Sequence, residues 1–267
     1  MVRGIYTAAS GMIVQNERID IISNNLANVS TTSYKQDQAI MKEFPQMLLQ
    51  RTNEKFFIFD SGAIDIAPIV GKIGTGAEVN QKFTDFRTGA FIQTEHNLDF
   101  AIETEGAFFS VQTPYGIFYT RNGELNLSAD GTIVTKQGYP VLGENGPINV
   151  AGKDFKLDQF GQVWIKDYNN TNWEIKDRIP FYSFADLKYL EKVGDSFYKE
   201  TKYSGYAQIR EKNQTRIHVG FVEGSNVNPV LEMVRLIEAQ RAYEANSKTL
   251  QAEDDATNRA INQVGRI

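Results

Sequence analysis

Gly224-Ser225-Asn226-Val227-Asn228-Pro229 opens the segment that sets the architecture of this chain, and the segment runs on to Ile267. Asn228 suits the N-cap of a helix, and Pro229 suits the first helical position, where no backbone N–H is needed. Residues 230–264 contain neither glycine nor proline. At ~1.5 Å per residue such a run would form a helix roughly 50 Å long, far above the usual mean of about 11–12 residues. The sequence therefore predicts a long C-terminal helix.

Two apolar stripes run along this predicted helix. The valine stripe contains Val230, Val234, Ile237, Ala245, Ala252 and Ala256. The heptad stripe, whose members are seven residues apart, contains Leu236, Tyr243, Leu250, Thr257 and Val264. At about 100° per residue the two stripes lie well apart around the helix axis. A helix lying on one globular core needs a single stripe, so two stripes favour a helix held between two neighbours. A long core helix in a bundle is the alternative.

The N-terminal segment carries a matching pattern. Two sets of residues repeat every seven positions and are offset by three: Ile5, Met12, Ile19 and Leu26, and Ala8, Gln15, Ile22 and Val29. This alternation of three and four is typical of a coiled coil. Gly4 and Gly11 each weaken a helix by up to ~1 kcal/mol relative to Ala, so this helix needs a partner. We expect that partner to be the C-terminal helix, in a coiled-coil-like pair with the intervening chain looped out.

Composition excludes several classes of protein. The chain has 267 residues, of which 41% are hydrophobic and 23% charged, as in an ordinary soluble protein. Its net charge of −5 argues against nucleic acid as the main partner. No stretch approaches ~20 consecutive apolar residues, and the N-terminus lacks an unbroken apolar h-region, so neither a membrane span nor a cleaved signal peptide is expected. The absence of cysteine excludes disulfides, thiolate metal sites and cysteine catalysis.

The middle of the chain changes its hydrophobic period. Residues 31–79 are irregular in pattern and are expected to form an extended connecting segment. From about residue 80 to 222 the period approaches two, and turn signals such as Ser128-Ala129-Asp130-Gly131 recur between short apolar runs. The expected strands are Asp99–Glu103, Ala107–Gln112, Ile117–Thr120, Glu124–Leu127, Thr132–Thr135, Phe155–Leu157, Gln162–Lys166, Trp173–Pro180 and Thr215–Val222. Residues 184–190 are expected to form a short helix that ends at Gly194.

These patterns predict an α+β fold. Residues 1–30 and 228–267 form the terminal helical domain, and residues 80–222 form a central antiparallel β-rich domain. Residues 31–79 lead into that domain, and residues 223–227 form a return linker to the second helix.

Little in the sequence indicates catalysis. His96 and His218 are far apart and lack companions at metal-ligand spacing, so both are interpreted as structural or solvated. Glu103 and Glu105 would share a face of a strand and could form a carboxylate pair of the glycosidase kind, although two surface glutamates are common. No nucleophile elbow and no dinucleotide fingerprint is present. No cofactor, metal or small-molecule substrate is expected.

Both ends of the chain resemble the bacterial flagellar basal-body rod and hook family of axial proteins. The residues that carry the resemblance are Asn24, Asn25, Leu26, Ala27, Asn28, Tyr34 and Lys35 at the N-terminal end, and Gly224, Ser225, Asn226, Asn228, Pro229, Gln240, Arg241, Ala242, Tyr243 and Glu244 at the C-terminal end. Ser33 stands where that family usually has glycine. Central motifs such as Tyr119-Thr120-Arg121-Asn122-Gly123 are also similar, so the resemblance covers nearly the whole chain.

The resemblance implies a structural subunit rather than an enzyme. Such a subunit would be exported by the flagellar type III apparatus without a cleaved signal and would stack helically, with copies of itself and other rod proteins, into the drive shaft that crosses the periplasm. Within the family, Gly143–Ile148 and Asp254–Ala260 are most similar to the proximal-rod member, and a distal-rod or hook-family subunit is the alternative. The expected assembly interface comprises Ile5, Ala8, Met12, Ile19, Ile22, Leu26, Val230, Val234, Leu236, Ile237, Tyr243 and Leu250.

Two hypotheses from other classes remain open at this point. One is a hydrolase of cell-wall glycan that uses Glu103 or Glu105 as its acid, which turnover of peptidoglycan by the pure protein would reveal. The other is a secreted binding module whose β domain contacts a ligand, which a pull-down with that domain would reveal.

Overall fold

The computed structural model describes residues 2–50, 57–59, 62–64, 69–166, 172–211 and 214–264. These residues fall into two compact units. The first unit comprises residues 1–23, 39–82 and 233–267, and the second comprises residues 24–38 and 83–232. Helices stand at both ends of the chain and antiparallel sheets lie between them, as the sequence predicts. Among the described residues, no helix is both long and apolar enough to cross a membrane.

The two helices begin and end at residues that the sequence marks. Helix α1 spans Val2–Ala27, and the next residue, Asn28, donates its backbone and side-chain N–H groups to the Asn24 carbonyl. Helix α2 spans Pro229–Val264. The Asn228 carboxamide oxygen accepts hydrogen bonds from the backbone N–H groups of the second and third residues of α2, at 3.1 and 3.2 Å. The predicted N-cap is therefore confirmed.

A long two-stranded ribbon occupies most of the segment that the sequence describes only as extended. Strand β1 spans Asp37–Gln50 and pairs with β4, which spans Ile69–Thr84. Between them β2, Phe57–Phe59, pairs with β3, Gly62–Ile64. Sequence reasoning missed the ribbon because its apolar residues do not alternate cleanly with polar ones.

Within the first unit, α1 contacts both the ribbon and α2. The Thr7 hydroxyl donates to the Thr75 carbonyl at 2.7 Å, which ties α1 to β4. On another side of α1, Gly4 faces Glu253 and Gly11 faces Asn246. The residue numbers rise along α1 and fall along α2, so the two helices run antiparallel.

The second unit consists of short antiparallel strands. These strands are β5 Phe91–Gln93, β6 Phe100–Ile102, β7 Phe108–Thr113, β8 Gly116–Thr120, β9 Leu125–Leu127, β10 Ile133–Thr135, β11 Leu142–Gly143, β12 Gly146–Pro147, β13 Asp154–Leu157, β14 Gln162–Lys166, β15 Glu174–Arg178, β16 Phe181–Ser183, β17 Glu191–Gly194, β18 Phe197–Lys199, β19 Gln208–Ile209, β20 Ile217–Val219 and β21 Phe221–Glu223. The largest sheet has six strands in the order β17-β18-β8-β7-β16-β19, and β13-β14-β15 form a three-stranded sheet. The remaining strands pair as β9–β10, β11–β12, β6–β20 and β5–β21.

The core of the second unit has two parts. Aliphatic and phenylalanine side chains from β6, β7, β10 and β14 form the larger part, which includes Phe100, Phe109, Ile133 and Val163, all fully buried. A smaller aromatic cluster surrounds Phe108 and Tyr198. At ~25 cal/mol per Å² of buried apolar surface, these two clusters are the main source of stability of this unit.

Two sequence expectations fail in detail. Residues 184–190 form a single 3₁₀ turn, Leu187–Tyr189, instead of a short helix. The Asp186 carboxylate accepts a hydrogen bond from the Lys188 N–H, and the chain then enters β17, which ends at Gly194. The strand expected over residues 215–222 is divided at Gly220, whose φ of +78° turns the chain so that β20 pairs with β6 and β21 with β5.

Candidate assembly interface

The structure separates the predicted interface residues by their exposure. On α1, Ala8 and Ile22 are buried. The other predicted residues of α1 are half-buried: Ile5, Met12, Ile19 and Leu26. On α2 the heptad-stripe residues Leu236, Tyr243 and Leu250 are also half-buried. The valine stripe differs, because its three large side chains are exposed: Val230 by 70%, Val234 by 48% and Ile237 by 49%.

The covered face of α2 contains a row of residues that are spaced alternately by four and three positions. The members of this row, all buried or half-buried, are Glu232, Leu236, Ala239, Tyr243, Asn246, Leu250, Glu253, Thr257 and Ala260. Arg235, Ala242 and Ser247, outside this row, are half-buried as well. Every second member belongs to the heptad stripe that the sequence predicts. The other members are acidic, amide or small residues, which a search for apolar periodicity does not detect.

Two glycines of α1 accommodate these polar residues of α2. A Cβ atom added at Gly4 would lie 2.5 Å from Oε1 of Glu253, and one added at Gly11 would lie 2.8 Å from Nδ2 of Asn246. Both distances are too short for a real side chain. Gly4 and Gly11 are seven residues apart, as are Asn246 and Glu253, so the same contact repeats along the pair. By sequence these glycines only weaken α1, whereas in the structure they lie directly opposite the side chains of Asn246 and Glu253.

An open groove of about 510 Å³ lies beside this contact, within the first unit. Its apolar lining includes Met12 and Ile13 from α1 and Tyr243 and Leu250 from α2. Asn16, Glu17 and Asp20 form its polar rim. The groove is therefore an apolar surface with an acidic edge.

Signature residues 24–35 and 224–229, from the two ends of the chain, lie in the second unit. The centre is an ionic cluster of three fully buried side chains, Lys35, Arg121 and Glu223. The Lys35 ammonium lies 2.6 Å from Oε1 of Glu223, and the Arg121 Nε lies 3.0 Å from Oε2 of the same carboxylate. One carboxylate is thus shared by two cations from distant parts of the chain.

Backbone groups satisfy much of the remaining hydrogen-bonding capacity of this ionic cluster. The Arg121 guanidinium donates to the carbonyls of Ile102, Thr104 and Ala107 at 2.8–3.1 Å. The Lys35 ammonium donates to the Arg87 carbonyl at 2.7 Å. Burial lowers the pKa of Lys35, and the negative charge of Glu223 opposes that effect.

Asparagine side chains fix the segments on either side of the ionic cluster. The Asn25 carboxamide exchanges two hydrogen bonds with the backbone of Asp37, each 2.9 Å long. The Tyr34 hydroxyl donates to the carboxamide oxygens of Asn24 and Asn25. Burial raises the pKa of Tyr34, with further contributions from the negative charges of Asp37 and Glu232. These bonds explain why the N-terminal signature requires amides and a tyrosine.

The Asn226 side chain likewise fixes the return segment that leads to α2. Its carboxamide oxygen accepts from the Gln36 N–H at 2.8 Å, and its amide donates to the Asp85 carbonyl at 2.8 Å. The backbone N–H of Ser33 donates to the Glu223 carbonyl at 2.7 Å. The incoming segment 33–37 and the outgoing segment 223–226 are therefore held side by side. The two sequence motifs carry no signal that they bind one another.

Glu103, one of the two candidate catalytic residues, lies beside a histidine. Oε2 of Glu103 lies 3.6 Å from Nε2 of His218, and both side chains are nearly half exposed. Glu105 and His96 are exposed as well. The His218 ring packs against Phe91 and Phe221. The structure therefore assigns His218 a surface packing role.

Comparison with known proteins identifies the family to which the chain is similar. Three family models match: "Flagella basal body rod protein" over residues 5–35, "Flagellar hook protein FlgE/F/G D1 domain" over residues 101–175, and "Flagellar basal body rod FlgEFG protein C-terminal" over residues 218–263. The flagellar hook-basal body complex protein FlhO of Bacillus subtilis is 30% identical over 100% of both chains. The flagellar basal-body rod protein FlgG of Agrobacterium fabrum is 32% identical, with 95% of this chain and 96% of that protein covered. FlgG of Borreliella burgdorferi is 34% identical, with 96% of each covered.

Two terminal helices and a central β-rich unit are consistent with the structural class of protein that these comparisons indicate. The chain belongs to the flagellar basal-body rod FlgE/F/G family, whose members are structural. The hydrolase hypothesis based on Glu103 and Glu105 is therefore wrong.

Proposed function

We propose that this chain is a subunit of the flagellar rod that assembles through its two terminal helices with copies of itself and with other rod proteins. The observation that carries the proposal is the exposed valine stripe of α2. Val230, Val234 and Ile237 present apolar surface on one face, while Leu236, Tyr243 and Leu250 are half-buried on another. Adjacent exposed apolar side chains on a helix mark an interaction surface more often than a solvated face. In the rod, a neighbouring subunit would cover this stripe.

The second element of the proposal is that α1 and α2 form a coiled-coil-like pair inside each subunit. The alternation of four and three residues on α2 and the repeated contacts of Gly4 and Gly11 support this pairing. The predicted interface then has two layers. Ile5, Ala8, Met12, Ile19, Ile22 and Leu26 with Leu236, Tyr243 and Leu250 form the inner layer, and Val230, Val234 and Ile237 form the outer layer.

The family membership supports a proposal for the route and the place of assembly. The chain would be exported by the flagellar type III apparatus without a cleaved signal and would lie in the basal body, where the rod passes torque to the hook. The absence of cysteine suits a chain that is threaded unfolded through a narrow channel. Residues 143–148 and 254–260 favour the proximal rod, while the similarity to FlgG proteins favours the distal rod as the alternative.

A pair of substitutions tests the two layers separately. Val234→Asp places a charge on the valine stripe, where it is solvated in the free chain but would be buried in the rod at a cost of several kcal/mol. We expect a bacterium that carries only this variant to lose motility and to lack the protein in purified basal bodies. Thermal unfolding of the purified variant should match that of the wild type, because Val234 is exposed.

The matched control is Gln251→Asp, which adds the same charge at an exposed position between the two stripes. This variant should be motile. Leu250→Asp should also abolish assembly, and it should in addition release α2 from α1, which hydrogen exchange of the purified protein would report. Normal motility of the Val234→Asp variant would show that the valine stripe faces solvent in the rod and would overturn the proposal.

A further inference from the structure

The ionic cluster joins residues that are far apart in the chain. Lys35 lies in the segment that follows α1, Arg121 directly follows β8, and Glu223 ends β21. The Lys35–Glu223 pair spans 188 positions, and the Arg121–Glu223 pair spans 102 positions. A chain that is made from its N-terminus therefore contains both buried cations long before it contains their carboxylate.

The other carboxylates near the ionic cluster have partners of their own. Asp85 pairs with Arg87 at 2.6 Å, and Asp37 binds the Lys192 ammonium at 3.3 Å and the Thr84 hydroxyl at 2.7 Å. Glu223 is the carboxylate that contacts both Lys35 and Arg121. It also accepts the Gly89 N–H at 3.1 Å, so its side chain draws four segments of the second unit together.

We propose that Glu223 controls the folding of the second unit: in a chain that carries both Lys35 and Arg121, this unit closes only after the return segment 223–226 has joined the two cations. Before that moment, closure would bury two cations without an anion, which is strongly unfavourable in a protein interior. The fold is thereby kept open until all of the chain except α2 is present. Such control would suit a chain that is exported unfolded. This benefit rests on the proposed function, whereas the folding behaviour itself does not.

Folding kinetics of the full-length protein test this proposal. Trp164 and Trp173 both lie in the second unit, so their fluorescence reports its folding. Glu223→Gln keeps the shape of the side chain and removes its charge. If the contact forms before the unit closes, this variant should fold roughly tenfold more slowly or worse, with little change in its unfolding rate. Ile133→Val, which shortens a buried side chain far along the chain from Glu223, should act mainly on the unfolding rate.

A charge-matched double variant separates charge from shape. In the wild type, two cations and one anion leave the ionic cluster with one net positive charge. Lys35→Met combined with Glu223→Gln leaves Arg121 alone, and therefore the same net charge. This double variant should recover most of the folding rate that Glu223→Gln loses, and it should fold even if the single variant does not.

Two results would overturn the proposal. One is a Glu223→Gln variant that folds at the wild-type rate, in which case any loss of stability comes from a faster unfolding rate. The other is a double variant that folds as slowly as Glu223→Gln, or that fails to fold, because the ionic cluster would then act through shape and hydrogen bonding alone. Neither result would affect the test of rod assembly with Val234→Asp.

Discussion

Ser33 shows how one side chain can compensate for an unfavourable backbone conformation. Its φ of +55° lies in the left-handed region, where glycine is the usual residue and where the resembling family has glycine. Ser33 is buried, and its hydroxyl donates to the Arg121 carbonyl at 3.1 Å, next to the ionic cluster. The hydrogen bond therefore offsets conformational strain.

Two substitutions at Ser33 separate the stabilising hydrogen bond from the destabilising backbone strain. Ser33→Ala loses the hydrogen bond and keeps the strain, so it should lower the free energy of unfolding by about 1–2 kcal/mol. Ser33→Gly loses the same bond but relieves a strain of about 1 kcal/mol, so it should be the more stable of the two by about that amount. Denaturant unfolding followed by tryptophan fluorescence gives both values. Equal stability of the two variants would show that the backbone at this position carries no strain.

The contact between α1 and α2 shows what a hydrophobic pattern can and cannot reveal. Sequence periodicity identifies both helices, the N-cap at Asn228 and the heptad stripe of α2, because regular spacing of apolar residues is a strong signal. It does not identify Asn246 and Glu253 as covered residues, since their chemistry is typical of a solvated face. Both residues are half-buried and face glycines of the other helix, Gly4 and Gly11.

The close approach at Gly11 leads to a prediction about the helix pair. Gly11→Leu places a branched side chain where even a Cβ atom would lie 2.8 Å from Asn246. Intrinsic helix propensity favours leucine by almost 1 kcal/mol, so α1 itself should be no less helical. We expect α2 to be displaced, with faster amide hydrogen exchange around residues 239–253. Ser23→Leu, at an exposed position of α1, is the control and should leave exchange in α2 unchanged. Unchanged exchange in the Gly11→Leu variant would mean that α2 does not depend on this contact.

Long-range pairing limits what the sequence predicts about the chain as a whole. Local patterns give the α+β class and most of the short strands, because turn residues and alternation are local signals. They do not predict the pairing of β1 with β4 or the contact between Lys35 and Glu223. The residues that pair in these contacts are far apart in the chain, by 188 positions for Lys35 and Glu223. The signature motifs were visible as sequence, but their contacts with one another required the folded chain.

The last prediction concerns which residues are needed for the second unit to fold on its own. The sequence suggests that residues 80–222 fold alone as a β domain, yet this fragment lacks both Lys35 and Glu223. Arg121 would then remain buried without its carboxylate, a change that typically costs 3–5 kcal/mol. A fragment of residues 24–232 keeps the whole ionic cluster and should melt roughly 10 °C higher than residues 80–222, as measured by circular dichroism.

Residues 80–222 could melt at a lower temperature because Arg121 lacks its carboxylate or because the fragment is shorter. The substitution Arg121→Met distinguishes these two causes. In that fragment the substitution removes an uncompensated cation, so the melting temperature should rise. In residues 24–232 the same substitution breaks a satisfied pair, so the melting temperature should fall. Opposite signs in the two fragments would place the boundary of the second unit at its ionic cluster. A fall in both fragments would mean that Arg121 contributes to stability through its three carbonyl contacts, independently of Glu223.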